Sequence, residues 1–93
     1  IYRNPVWIDQ LNELANDPLV TGDKKEAKRK ILEAFHSNAT TLKLDFLNIS
    51  SLPSCIGNLG NLKSLHLYDN QFTALPAEMG NLGNLTYLYL GQN

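Results

Sequence analysis

Residues 56–62 read Ile-Gly-Asn-Leu-Gly-Asn-Leu, and residues 79–85 read Met-Gly-Asn-Leu-Gly-Asn-Leu, 23 positions later. This repetition decides the fold, because self-similarity at one period is the signature of units that stack on one another. The same step relates several further sets of residues: Leu42, Leu65 and Leu88; Leu44, Leu67 and Leu90; Leu52-Pro53 and Leu75-Pro76; Asn70 and Asn93.

Each part of the unit has a physical task. The period of two in Leu65-x-Leu67 predicts a short strand with both leucines directed inward and the residues between them directed outward. Pro53 and Pro76 then prevent the strand from continuing. Asn70 and Asn93 follow the strands, where an amide can bond the backbone of neighbouring coils as a structural ladder, although asparagine is also common in ordinary turns.

Residues 1–38 do not fit the repeat and predict two helices. Pro5 suits a first helical position, and Trp7, Leu11 and Leu14 follow at helical spacing up to Asp17-Pro18. A second helix begins near Asp23, with an apolar face formed by Ala27, Ile31, Leu32, Ala34 and Phe35. We expect this pair to cap the first repeat, with Trp7 packed there; the alternative is that Trp7 is an exposed binding anchor.

The unit resembles the leucine-rich-repeat family, in the 23-residue class of Ras-suppressor-like, plant intracellular and bacterial proteins. The resemblance implies an α/β solenoid with a short parallel sheet. Its domains would be an N-terminal helical cap at 1–38 and repeats at 39–93, namely two full repeats and the start of a third. Proteins of this family bind partner proteins on the concave face of the sheet, and we expect the same function here.

The passage from Ile31 to Pro53 further resembles the helix-to-first-repeat junction of bacterial type III secreted effectors, in which leucine replaces the first ladder asparagine, as Leu47 does here. This resemblance implies an alternative function: the substrate-recognition part of an effector ubiquitin ligase whose catalytic domain is absent from this chain. It also implies secretion into a host cell. No residue of that catalytic domain matches, so we expect no enzyme activity.

Composition excludes several other functions. Eight basic and nine acidic residues give a net charge of −1, which favours neither nucleic acid nor an anionic membrane, and the basic stretch 24–30 suits a solvated helix face better than a phosphate site. Cys55 is the only cysteine, so no internal disulfide can form, which favours a reducing compartment. No histidine is near it in sequence to act as a base, so we do not expect it to be a nucleophile. No cofactor motif or metal-ligand spacing is present, and no apolar run could cross a membrane.

Outward positions of the three strands align across the repeats and form the predicted partner-binding face. Tyrosine is favoured in binding hot spots, which points to binding, although the same side chains could simply pair across strands and face water. The predicted contacts are Lys43, Asp45, Phe46, His66, Tyr68, Asp69, Tyr87, Tyr89 and Gln92. Because the sequence stops just after the third strand, we also expect either a longer natural protein or self-association through this exposed last repeat.

Overall fold

The computed structural model describes residues 5–93, and the predicted mixed α/β class is confirmed. Helices α1 (Ile8–Asn16) and α2 (Lys24–His36) precede three short strands, β1 (Thr41–Lys43), β2 (Ser64–His66) and β3 (Tyr87–Tyr89). Two 3₁₀ helices, Ser54–Asn58 and Ala77–Asn81, connect the strands. The predicted start of the helical segment, residues 1–4, lies outside the described residues.

The strands form one parallel sheet in the order β1-β2-β3. Their register follows the sequence step, since Leu42 pairs with Leu65 and Leu65 pairs with Leu88. The two 3₁₀ helices pack against each other on the opposite side. Each strand, together with the segment that follows it, is called a coil below.

The core fills the space between the sheet, the 3₁₀ helices and the two α-helices. Alternation along β1 and β2 buries their central leucines and leaves the flanking residues outside, whereas all three residues of β3 are exposed. Fully buried side chains from all three layers meet there: Leu11, Ile31, Leu44, Ile49, Ile56, Leu62, Leu65 and Leu67.

Helix α2 covers the β1 end of the sheet. Asp23, just before the helix, is its N-cap: its Oδ1 accepts from the backbone N–H of Glu26 at 3.2 Å. Its buried residues are Ala27, Ile31 and Ala34, and it packs against β1, while α1 packs against the first 3₁₀ helix. Trp7 is partly buried against this core and meets Phe35 edge to face at 5.0 Å, so it does not stand free as an anchor.

The prediction that Pro5 is the first helical residue is wrong, because α1 begins at Ile8. The amide of Ile8 donates to the carbonyl of Pro5, and that of Gln10 donates to the carbonyl of Trp7. These hydrogen bonds join residues three apart, as in a 3₁₀ helix, and they close a tight turn before the α-helix starts.

The loop between the helices is joined to the chain that follows β1. Asp23 N–H donates to Leu47 O at 2.8 Å, and Thr21 N–H donates to Ser50 Oγ at 3.0 Å. Gly22, at φ +97°, lies so close to Asn48 that a Cβ would come within 2.3 Å of its carbonyl oxygen. Only glycine therefore fits here, and the helices are fixed to the first coil by backbone contacts as well as by the core.

Candidate functional site

The outer sheet face is the surface of the three strands that points away from the core. The strand register places Thr41, Ser64 and Tyr87 in one row and Lys43, His66 and Tyr89 in the next. Beyond the strand ends, the same step brings Asp45, Tyr68 and Gly91, and then Phe46, Asp69 and Gln92, into sequence-equivalent positions. All nine residues predicted to contact a partner thus belong to this face or its edge.

Aromatic side chains dominate this face and are open to solvent. Phe46 is 66% exposed, and Tyr68, Tyr87 and Tyr89 are 40%, 59% and 48% exposed. Beneath the first two strands, Leu44, Leu65 and Leu67 are fully buried, whereas Leu88 and Leu90 of the third strand segment are 40% and 39% exposed. Phe46 and Tyr68 therefore lie beside a closely packed core, and Tyr87 and Tyr89 lie on a strand whose inner side is partly open.

The rings form two groups. In the first, His66 stacks on Tyr89 with centroids 4.6 Å apart and planes 19° apart, and Tyr89 stacks on Tyr87 at 6.2 Å. In the second, Phe46 and Tyr68 meet edge to face at 5.6 Å. Such ring pairs restrict each other's rotation, so little side-chain entropy is left to lose when a partner binds.

Gly91 shapes the second group, a role that sequence analysis did not assign to it. A Cβ at this position would come within 3.0 Å of two carbon atoms of the Tyr68 ring. The ring therefore lies across the backbone of Gly91. The 23-residue step aligns Tyr68 with Gly91, and the contact between them could have been predicted from this alignment.

Polar contacts hold the same region in place. Asp45 Oδ1 accepts from the backbone N–H of Tyr68 at 2.7 Å, and Phe46 N–H donates to Tyr68 O at 3.1 Å. Lys43 is exposed, and its carbonyl accepts from Lys30 Nζ at 3.1 Å.

The turn after each strand places one residue in the left-handed region. Phe46, Asp69 and Gln92, which are related by the sequence step, have φ of 61°, 56° and 61°. Aspartate tolerates this conformation, whereas for a bulky residue it is a genuine outlier. Phe46 therefore carries a conformational cost of about 1–2 kcal/mol while exposing most of its ring.

Asn70 and Asn93 bond corresponding groups in successive coils. Asn70 Oδ1 accepts from the amides of Leu47 and Ile49, each at 3.2 Å, and its Nδ2 donates to Leu44 O and Leu67 O. Asn93 Oδ1 accepts from Phe72 N–H at 3.1 Å, and its Nδ2 donates to Leu67 O and Leu90 O at 2.8 Å each. Both amides thus connect their own turn to the preceding coil.

Cys55 lies in the core and has no place on the outer sheet face. It is 1% exposed, and burial raises the pKa of its thiol to about 11. The thiolate, which is the nucleophilic form, is thus strongly disfavoured at neutral pH. Within residues 5–93, no cluster of three or more His, Cys, Asp or Glu side chains is arranged to hold a metal ion.

The basic stretch on α2 is partly neutralised by its own helix. Arg29 pairs with Glu26 and, through Nη1 at 2.8 Å, with Glu33 Oε2. The hydrogen bond from Arg29 lowers the pKa of Glu26. Neither helix of the described chain is long and apolar enough to cross a bilayer.

Fold and site together define a small mixed α/β protein whose three-stranded parallel sheet has an aromatic outer face. No protein-family model matches the chain, and no curated protein matches it.

Proposed function

We propose that this chain is the capped beginning of a leucine-rich-repeat solenoid, and that it binds a protein partner on the outer sheet face. The observation that carries the proposal is the set of four exposed aromatic side chains, Phe46, Tyr68, Tyr87 and Tyr89, on one face of the sheet. In this proposal α1 and α2 form the cap, and the outer sheet face is the concave side of the solenoid.

The chemistry of the face supports a protein as the ligand. Phenylalanine and tyrosine supply large apolar area with few rotatable bonds, and the tyrosine hydroxyls add hydrogen-bonding groups at the rim. The ring pairs fix much of this area before binding, which reduces the entropy lost on association. Leaving several large aromatic rings together in water is otherwise unfavourable, so a covering partner explains their grouping.

The proposal can be tested with a phage-displayed library of random linear peptides selected on the immobilised chain. We expect the selected peptides not to bind the variant in which Tyr68, Tyr87 and Tyr89 are all replaced by alanine. A matched control replaces Glu13, Lys25 and Thr73, which are exposed at other positions, by alanine.

Folding of both triple variants is checked by circular dichroism and urea unfolding. Loss of peptide binding in the tyrosine variant alone supports the proposal. If that variant folds and retains every selected peptide, the outer sheet face is not the binding site.

A further inference from the structure

Phe46 is placed where the fold itself has no need of an aromatic ring. The other two coils hold Asp69 and Gln92 at the equivalent position, with the same left-handed backbone. Polar residues thus suffice for this turn. A phenylalanine here is unfavourable both for its backbone conformation and for its exposed ring, and strained exposed residues of this kind cluster at ligand-binding sites.

The surroundings of Phe46 fix its ring beside a second aromatic plane. Tyr68 meets it at 5.6 Å with an interplanar angle of 73°, and Tyr68 is itself held against the backbone of Gly91. The two rings therefore form a corner with an angle of 73°, and the face of each ring carries the negative pole of the aromatic quadrupole.

Carboxylates flank this corner. Asp69 follows Tyr68 in sequence and occupies the position equivalent to Phe46 in the next coil, about 5 Å away by the usual strand spacing. Asp45 precedes Phe46, and its Oδ1 is already engaged by the Tyr68 amide. Two acidic residues and two aromatic rings thus belong to one small region of the outer sheet face, and their charge and ring faces are complementary to a cation.

Arginine matches this region better than lysine does. Its planar guanidinium stacks on aromatic rings and forms two parallel hydrogen bonds to one carboxylate, whereas lysine is a compact point charge. We infer that Phe46, Tyr68 and Asp69 form a subsite for an arginine side chain of the protein partner, with Phe46 as the stacking anchor. This inference rests on the proposed function, because it names the chemistry of the partner at that same face.

The experiment is an NMR titration of the ¹⁵N-labelled chain with N-acetyl-arginine methylamide. The matched probes are the citrulline derivative, which keeps the planar group without the charge, and the lysine derivative, which keeps the charge without the plane. We expect the arginine probe to shift the amide resonances of Phe46, Tyr68 and Asp69, and to bind more tightly than either control.

Two variants locate the contacts. Asp69→Asn keeps the shape but removes the charge, and Phe46→Gln introduces the uncharged residue that the third coil carries at this position. Each is expected to weaken binding of the arginine probe by about tenfold, the equivalent of one charge-assisted contact. The ¹⁵N spectra of the variants report whether each is folded.

Equal shifts with arginine and citrulline, or shifts that map away from these three residues, overturn the inference. So does full-strength arginine binding by folded Asp69→Asn. The peptide selection described above is independent of this result: peptides that require the tyrosines but not Asp69 leave the proposed function standing and remove only the arginine subsite.

Discussion

The side-chain Nδ2 of Asn70 donates to the carbonyl oxygen of Leu44, 26 positions earlier in the chain, at 2.9 Å. The same side chain accepts from the amides of Leu47 and Ile49, so both ends of its amide bond the backbone of the preceding coil. Asn70 is only 2% exposed. A buried amide that satisfies several backbone groups is worth more than its individual bonds suggest, because water cannot replace it.

Replacing Asn70 by alanine is therefore expected to destabilise the fold by about 3 kcal/mol, since the buried amide of Ile49, the half-buried amide of Leu47 and the carbonyl of Leu44 lose this partner. Asn93→Ala is the matched control: it removes corresponding bonds, but Asn93 is exposed, and water can substitute. We expect it to cost about 1 kcal/mol. Urea unfolding measures both values, and equal costs for the two variants would contradict this account of burial.

Much of the architecture was predictable because the 23-residue step fixes the strand register. Leu42, Leu65 and Leu88 pair as their spacing predicts. The loop between the helices was not predictable in the same way. Gly22 fits against Asn48 through a long-range backbone contact that leaves no periodic signal in the sequence. Likewise, the turn from Pro5 to Trp7 depends on three-residue hydrogen bonds that are not visible in the apolar pattern.

For the candidate site, the sequence predicted which residues share a row but not how their rings meet. The row Lys43, His66, Tyr89 follows from the repeat, whereas the parallel stacking of His66 on Tyr89 depends on rotamers. The left-handed backbone of Phe46 is a similar case, because phenylalanine gives no warning of that conformation.

Ile31→Ala in α2 is expected to destabilise the chain by about 2–5 kcal/mol, because a fully buried side chain at the contact between α2 and the core is lost. Lys25→Ala, on an exposed position of the same helix, should change stability by less than about 0.5 kcal/mol. Thermal and urea unfolding compare the two. A neutral result for Ile31→Ala would show that α2 is not needed by the sheet.

Cys55 makes stability depend on pH in the alkaline range. Burial raises the pKa of its thiol from 9.0 to about 11, so between these values the unfolded chain loses the proton and the folded chain keeps it. The free energy of unfolding therefore falls as pH rises through this window, by up to about 2 kcal/mol. Below this pH window the Cys55 thiol is protonated in both the folded and the unfolded chain, so its contribution to the free energy of unfolding does not vary with pH.

Urea unfolding of the native chain and of Cys55→Ala, measured from about pH 8 to pH 10.5, isolates this effect. Tyrosine and lysine titrations are common to both proteins and cancel in the difference. We expect the stability of the native chain to fall more steeply than that of the variant. Parallel curves would mean that the thiol is not held protonated by burial.

Phe46→Asn should leave the fold as stable as before, within about 1 kcal/mol. Asparagine tolerates the left-handed backbone, so the conformational relief offsets the lost edge contact with Tyr68. Leu44→Ala, two positions earlier but fully buried, should cost about 2–5 kcal/mol. A large loss of stability in Phe46→Asn would identify Phe46 as a structural residue and not as a residue that contacts a partner.

The β3 side of the sheet leaves leucine side chains partly exposed. Leu88 and Leu90 are 40% and 39% exposed, whereas the equivalent Leu65 and Leu67 in the preceding coil are 0% exposed. Within the described residues no strand pairs with β3 on its outer edge, so apolar surface and a row of backbone groups are open together. Such an edge is a template for pairing with another chain.

We expect the 93-residue chain to self-associate through this edge as concentration rises. The opposite side of the sheet is covered by α2, so copies cannot add head to tail. Of the two sheet edges only β3 is open, so edge pairing joins one β3 to another and closes into a two-fold dimer instead of a growing fibre. Sedimentation equilibrium of the native chain should therefore fit a monomer and dimer, while Leu90→Lys should remain monomeric because a charge at the contact opposes burial. Glu13→Lys, at an exposed position of α1, is the matched control and should dimerise as the native chain does. A native chain that stays monomeric at high concentration, or one that forms higher polymers, would contradict this arrangement.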